Sequence, residues 1–167
     1  MPELIPLTLR INGENRPTIC PPQETLLETL RERLELTGTK HGCELGECSA
    51  CAVLINGQPM LSCLLLTMEM PGVEIETIEG VARCGRLHPL QESLAELGAA
   101  QCGYCIPGIV LTAKALLDDE PAPTRDQIKE AIAGNLCRCT GYVQILDAVE
   151  AAARQLAPAA DEGGAKP

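Results

Sequence analysis

Apolar and polar residues alternate along Leu4–Ile11 and again along Arg16–Cys20, and Asn12-Gly13 stands between the two runs. Period-two alternation flanking Asn-Gly predicts a β-hairpin. Pro21-Pro22 breaks the second strand. From Thr25 the period changes. Leu26, Leu27, Leu30 and Leu34 fall on one face of a helix, and Gly38 ends it. A Gly- and Cys-rich loop over 40–51 follows, then a short strand Ala52–Ile55, a second Asn-Gly turn at 56–57, a return strand Gln58–Leu66, and a further alternating run Val73–Ile78. The first half therefore reads as a small sheet crossed by one helix. After Gly80 the pattern is helical, with candidates at 89–97, 106–118, 124–134 and 142–156. Gly98 and Gly134 sit where helix C-terminal stops are expected. Thr124 is placed to cap a helix after Pro121-Ala122-Pro123. The halves divide near 79–88, giving segments 1–80 and 81–157. The Ala-, Gly- and Pro-rich stretch 158–167 has the composition of a disordered tail.

Composition sharpens this picture. Tyr104 and Tyr142 are the only aromatic residues among 167, so two small cores must be built from aliphatic side chains. Such cores are marginal without covalent or metal staples. The formal charge of −10 argues against nucleic acid as a partner. No stretch is long and apolar enough to span a bilayer. Met1-Pro2-Glu3-Leu4 lacks the basic start of a secretory signal, and a cytoplasmic location is the expectation. In that compartment ten cysteines point to metal rather than disulfides.

Cys43, Cys48 and Cys51 follow the spacing Cys-x4-Cys-x2-Cys, with Cys63 further on. This is plant-type [2Fe–2S] spacing, whereas zinc favours paired Cys-x2-Cys units. Such a loop must curl tightly and aim N–H groups at the sulfurs. Gly42 and Gly46 permit those backbone angles, and small Ser49 and Ala50 avoid crowding. Cys63, on the returning strand, can reach the loop. Cys102 and Cys105 precede a predicted helix, and Cys137 and Cys139 lie between two others. Helix N-termini favour an anionic centre and lower thiol pKa. On spacing alone this second set suits zinc as well as iron–sulfur, and the first set tips it toward iron. Cys20 and Cys84 have no partner at ligand spacing and read as small buried hydrophobes. His41 reads as a loop residue, and His88 as the residue before a helix-initiating Pro89.

The strings Thr37–Cys43, Gln101-Cys102-Gly103-Tyr104-Cys105-Ile106-Pro107-Gly108 and Gly134-Asn135-Leu136-Cys137-Arg138-Cys139-Thr140-Gly141-Tyr142 resemble the iron–sulfur subunits of the xanthine oxidase family of molybdenum hydroxylases. That family includes aldehyde oxidoreductases, carbon monoxide dehydrogenase and 4-hydroxybenzoyl-CoA reductase, and the resemblance covers roughly 4–156. It implies an α+β chain: a β-grasp, ferredoxin-like [2Fe–2S] domain, then a four-helix-bundle [2Fe–2S] domain. It implies one cluster on Cys43, Cys48, Cys51 and Cys63, nearer a flavin, and one on Cys102, Cys105, Cys137 and Cys139, nearer molybdenum. Gln101 and Cys139 inherit proximity to the pterin cofactor. The implied role is a relay of single electrons from molybdenum to FAD or another acceptor. The molybdenum–pterin would be held by a large partner subunit and FAD by a medium one, in a heterotrimer. The chain has no nucleotide loop and no general-base constellation, so no bond chemistry on substrate is expected of it. The loop Cys43-Glu44-Leu45-Gly46-Glu47-Cys48-Ser49-Ala50-Cys51 departs from relatives, which more often have glycines at several of these places, and Ile106 replaces a usual Thr. A free-standing two-cluster ferredoxin-like carrier is the alternative, and the helical half argues against it.

Overall fold

A computed structural model describes residues 3–157. The tail 158–167, expected to be disordered, lies outside the described residues. The first hairpin forms as the alternation predicts, with β1 Ile5–Ile11 antiparallel to β2 Glu14–Cys20. Asn12 and Gly13 both take positive φ, 54° and 81°, the conformation a two-residue turn of this hand requires. β3 Ala52–Ile55 and β4 Gln58–Leu61 form a second hairpin, and β5 Glu74–Glu76 pairs parallel to β1 and antiparallel to β3. The sheet order is β2-β1-β5-β3-β4, a mixed sheet closed in the middle by the last strand.

The crossing helix is shorter and less regular than its periodicity suggests. α1 spans Leu26–Glu28, opened by a Thr25–Glu28 capping box, and continues as a π-turn over Thr29–Arg33. Leu26 and Leu30 still pack with Leu9, Ile11, Val53 and Ile75, and Leu27 is buried outside that cluster. The return strand also stops early. It ends at Leu61, and Ser62–Leu64 is a 3₁₀ turn. Ser62 forces the bend: its hydroxyl and its N–H both donate to the Cys51 carbonyl, at 2.8 and 3.3 Å.

The second half is four helices, as expected: α3 Pro89–Glu96, α4 Ile106–Asp119, α5 Arg125–Ile132 and α6 Val143–Leu156, preceded by a short α2, Ile78–Val81, not foreseen in the sequence. Thr124 caps α5 through a box with Gln127. His88 caps α3: Nδ1 accepts from Leu90 N–H at 3.2 Å, ahead of Pro89. Gly98 takes φ +60° after α3, but Gly134 is not left-handed, so it is not a stop of that type.

The two halves share a strand. β3 is buried on both sides: Val53 packs into the sheet–helix core, while Leu54, its neighbour on the opposite face, joins the core of α3–α6 with Ile109, Ile128, Ile145 and Val149. Lys114 on α4 adds an ion pair with Glu76 on β5 at 3.2 Å. Both tie the halves into fixed register.

Candidate metal centre

The first cysteine loop curls as predicted. Gly46 sits at φ +78°, where L side chains are strained. Gly42 serves a different purpose from the one its sequence context suggests. Its φ is ordinary, but a methyl there would stand 2.6 Å from the Cys48 sulfur, so the position demands space rather than an unusual angle. Leu45 N–H and Glu47 N–H both donate to the Cys43 sulfur at 3.4 Å. With the adjacent Cys48 thiol they pull the Cys43 thiol down to about 6. Cys63 arrives on the 3₁₀ turn, not on a strand, and meets Cys51. Burial, then the Cys51 contact, push its thiol up to about 11.

The second set converges from two connections far apart in sequence, 102–105 and 137–139. Cys105 caps α4 and meets Cys137. Cys102 and Cys139, both exposed, approach to 3.6 Å. The expectation that the helix N-terminus lowers the thiol pKa fails at Cys105. Burial, then Cys137, raise it to about 12, because desolvation outweighs the dipole. Burial also opposes ionisation of Cys137, but the Thr140 hydroxyl at 3.2 Å and the N–H groups of Thr140 and Cys139 win and bring it down to about 7.

Each set thus contains two sulfur pairs, Cys43/Cys48 with Cys51/Cys63, and Cys102/Cys139 with Cys105/Cys137. Two pairs side by side suit a centre with two metal positions. The donor set, all thiol with N–H groups aimed at sulfur, fits [2Fe–2S]. One cavity of about 250 Å³ is lined by members of both sets, including Cys43, Cys48, Cys102 and Cys137.

The residues that hold the second loop were not singled out in the sequence. Tyr142, at φ +69°, accepts from Cys137 N–H at 2.7 Å and donates to the Asn135 carbonyl at 2.9 Å. Tyr104 donates to the His41 carbonyl at 2.6 Å, from the second loop to the first. A signal was available: both aromatic residues of the chain stand beside cysteine strings. Cys20 is fully buried at the end of β2, as its bland reading anticipates. Cys84 departs from that reading: it joins neither set, but it is exposed, because it stands in a tight turn at φ +52° rather than in a core element.

Two family models match adjoining stretches of the chain: a 2Fe-2S iron-sulfur cluster binding domain over residues 9–77, and a [2Fe-2S] binding domain over 77–150. The small FeS subunit of nicotinate dehydrogenase from Eubacterium barkeri is 48% identical, over 92% of this chain and 98% of that one. The iron-sulfur-binding subunit of an Escherichia coli K12 aldehyde oxidoreductase is 41% identical, over 93% of this chain and 74% of its own length. The crystal structure of quinoline 2-oxidoreductase from Pseudomonas putida 86 superposes with a TM-score of 0.89 at 44% identity, covering 92% of this chain and 96% of the matched one.

Proposed function

This chain belongs to the iron–sulfur subunits of the xanthine oxidase family of molybdenum hydroxylases, and on that premise we propose that Cys43, Cys48, Cys51 and Cys63 hold one [2Fe–2S] cluster and Cys102, Cys105, Cys137 and Cys139 the other. The chain is the electron-transfer subunit of a multi-subunit molybdenum-containing oxidoreductase. A bound [2Fe–2S] cluster supplies storage for one electron at a time.

The polypeptide supplies the rest. The Leu45 and Glu47 N–H groups and the Thr140 hydroxyl hold charge on sulfur. The low values at Cys43 and Cys137 make those thiols the first to release protons as metal enters. The observation that carries the assignment is the all-thiol donor set, in plant-type [2Fe–2S] spacing and with N–H groups aimed at sulfur. We divide the chain into a ferredoxin-like domain, 1–80, and a helical domain, 81–157. β5 ends at Glu76 in the sheet, and Val81 already packs with the helices.

Gln101, Cys102 and Cys139 are exposed at one end of the second set. We assign that end to a large molybdenum-binding partner, with Gln101 and Cys139 nearest its pterin, and the first set to a medium FAD-binding partner or another acceptor. Ten free cysteines favour the cytoplasm, and no described helix is long and apolar enough to cross a membrane.

Electron paramagnetic resonance (EPR) and iron analysis of the purified complex test the assignment. Cys48→Ser should remove one cluster signal and leave the other; loss of both from a folded complex would refute the two-site division. Gln101→Ala should lower pterin occupancy and keep both iron signals, and unchanged occupancy would reject its role.

A further inference from the structure

The two cysteine loops are joined main chain to main chain by one hydrogen bond, and glycine makes that contact possible. Leu136 N–H donates to the Cys48 carbonyl at 3.1 Å. Cys48 belongs to the first set, and Leu136 is bonded directly to Cys137 of the second. Beside this bond, Asn135 Nδ2, in a residue that is 3% exposed, donates to the Ser49 carbonyl at 3.4 Å. Ser49 itself lies against the first turn of α4. A methyl group added at Gly108 would stand 2.3 Å from the Ser49 carbonyl oxygen. Gly134 is less constrained, with 3.4 Å to the Ser49 hydroxyl.

We propose that the Cys48–Leu136 hydrogen bond is the bridge through which the two clusters exchange electrons, and that Gly108 and Asn135 are the positioning residues that hold it closed. The proposal rests on the two-cluster assignment above. From the Cys48 sulfur to the Cys137 sulfur the route is covalent throughout, except for this one hydrogen bond. Electron transfer through a chain falls steeply at each gap between atoms, so the route with one short gap dominates. The other link between the loops, Tyr104 Oη to the His41 carbonyl at 2.6 Å, is a poorer conductor. It reaches the main chain two residues before Cys43 and enters by way of a whole phenol side chain. One electron leaves the helical-domain cluster and enters the other; no bond is made or broken, and no proton moves.

At Gly108 the argument is steric. To reach ordinary contact with a new methyl, the Ser49 carbonyl must retreat by about 1 Å. That displacement, passed to the adjoining Cys48 carbonyl, takes a 3.1 Å hydrogen bond to about 4 Å, beyond bonding distance.

The test is made on the purified holo-complex with both clusters reduced. Each reduced cluster is paramagnetic, and the coupling between them has a dipolar part, fixed by distance, and an exchange part carried by the bonded bridge; EPR at two microwave frequencies separates the exchange splitting from the dipolar one. Gly108→Ala should collapse this exchange splitting, leave the dipolar part, and slow cluster-to-cluster transfer severalfold in rapid-freeze experiments. Iron content and both midpoint potentials should stay unchanged, a combination that a merely structural defect does not produce. Asn135→Ala should weaken the splitting, and it decides the matter if Gly108→Ala does not assemble. Gly134→Ala and Tyr104→Phe should leave it intact. Loss of an iron signal from the unsubstituted complex would instead overturn the two-cluster assignment. With both clusters present, no exchange splitting in the unsubstituted complex, full exchange splitting in Gly108→Ala or Asn135→Ala, or its loss in Tyr104→Phe would overturn the bridge.

Discussion

Removing the phenol oxygen of Tyr142 should loosen one metal centre and spare the other. In Tyr142→Phe the ring stays packed against the helical core, but two hydrogen bonds go. These are the 2.7 Å bond from Cys137 N–H and the 2.9 Å bond to the Asn135 carbonyl. Each contributes about 0.5–1.5 kcal/mol net, so the loop loses about 1–3 kcal/mol. The loss is local, because both partners lie in the connection between α5 and α6 that carries Cys137 and Cys139. The oxygen also helps hold residue 142 at φ +69°, a conformation costing roughly 1–2 kcal/mol outside glycine. A loss of about 2 kcal/mol raises the open population of the loop about 30-fold. Iron release to a chelator, followed by the two EPR signals, reads this directly. The helical-domain signal should decay roughly 30-fold faster, and the ferredoxin-domain signal at its original rate. Equal decay of both, or no change in either, would refute the reasoning that Tyr142 acts as a local clamp.

Leu54→Ala should destabilise the chain by about 2–5 kcal/mol, since this fully buried side chain fills the helical core from a sheet strand; denaturant titration of the complex checks it. Acid sensitivity should arise partly at Glu24. Burial alone would raise its carboxyl, but the paired bonds from Arg33 at 2.5 and 2.6 Å and the Thr29 hydroxyl outweigh it and hold it below its ordinary value of 4.5. A depressed carboxyl stabilises above its unfolded pKa and loses that contribution as pH falls through the folded one, so unfolding midpoints should drop below about pH 4.5. Glu24→Gln should be less stable at neutral pH and show a flatter acid limb. Cys20→Ala and Cys84→Ser should leave both iron signals intact, and loss of either signal would mean a ligand has been misassigned.

What could be read from the chain alone was whatever depends on near neighbours in sequence. The Asn-Gly turns, the cap at Thr124, the four long helices and the plant-type spacing all use groups within a few residues of one another. Local geometry leaves these little choice. Only the tertiary structure decided how the eight sulfurs pair and that Leu54 serves the second core. It decided that Cys63 rides a 3₁₀ turn bent by Ser62, and that Cys105 is raised rather than lowered. It also decided that position 108 must be glycine for the two loops to meet. Each of these is set by a group far away in sequence: a carbonyl, a buried thiol, or an opposing loop. Packing and desolvation act through space, and the order of residues along the chain does not record that distance.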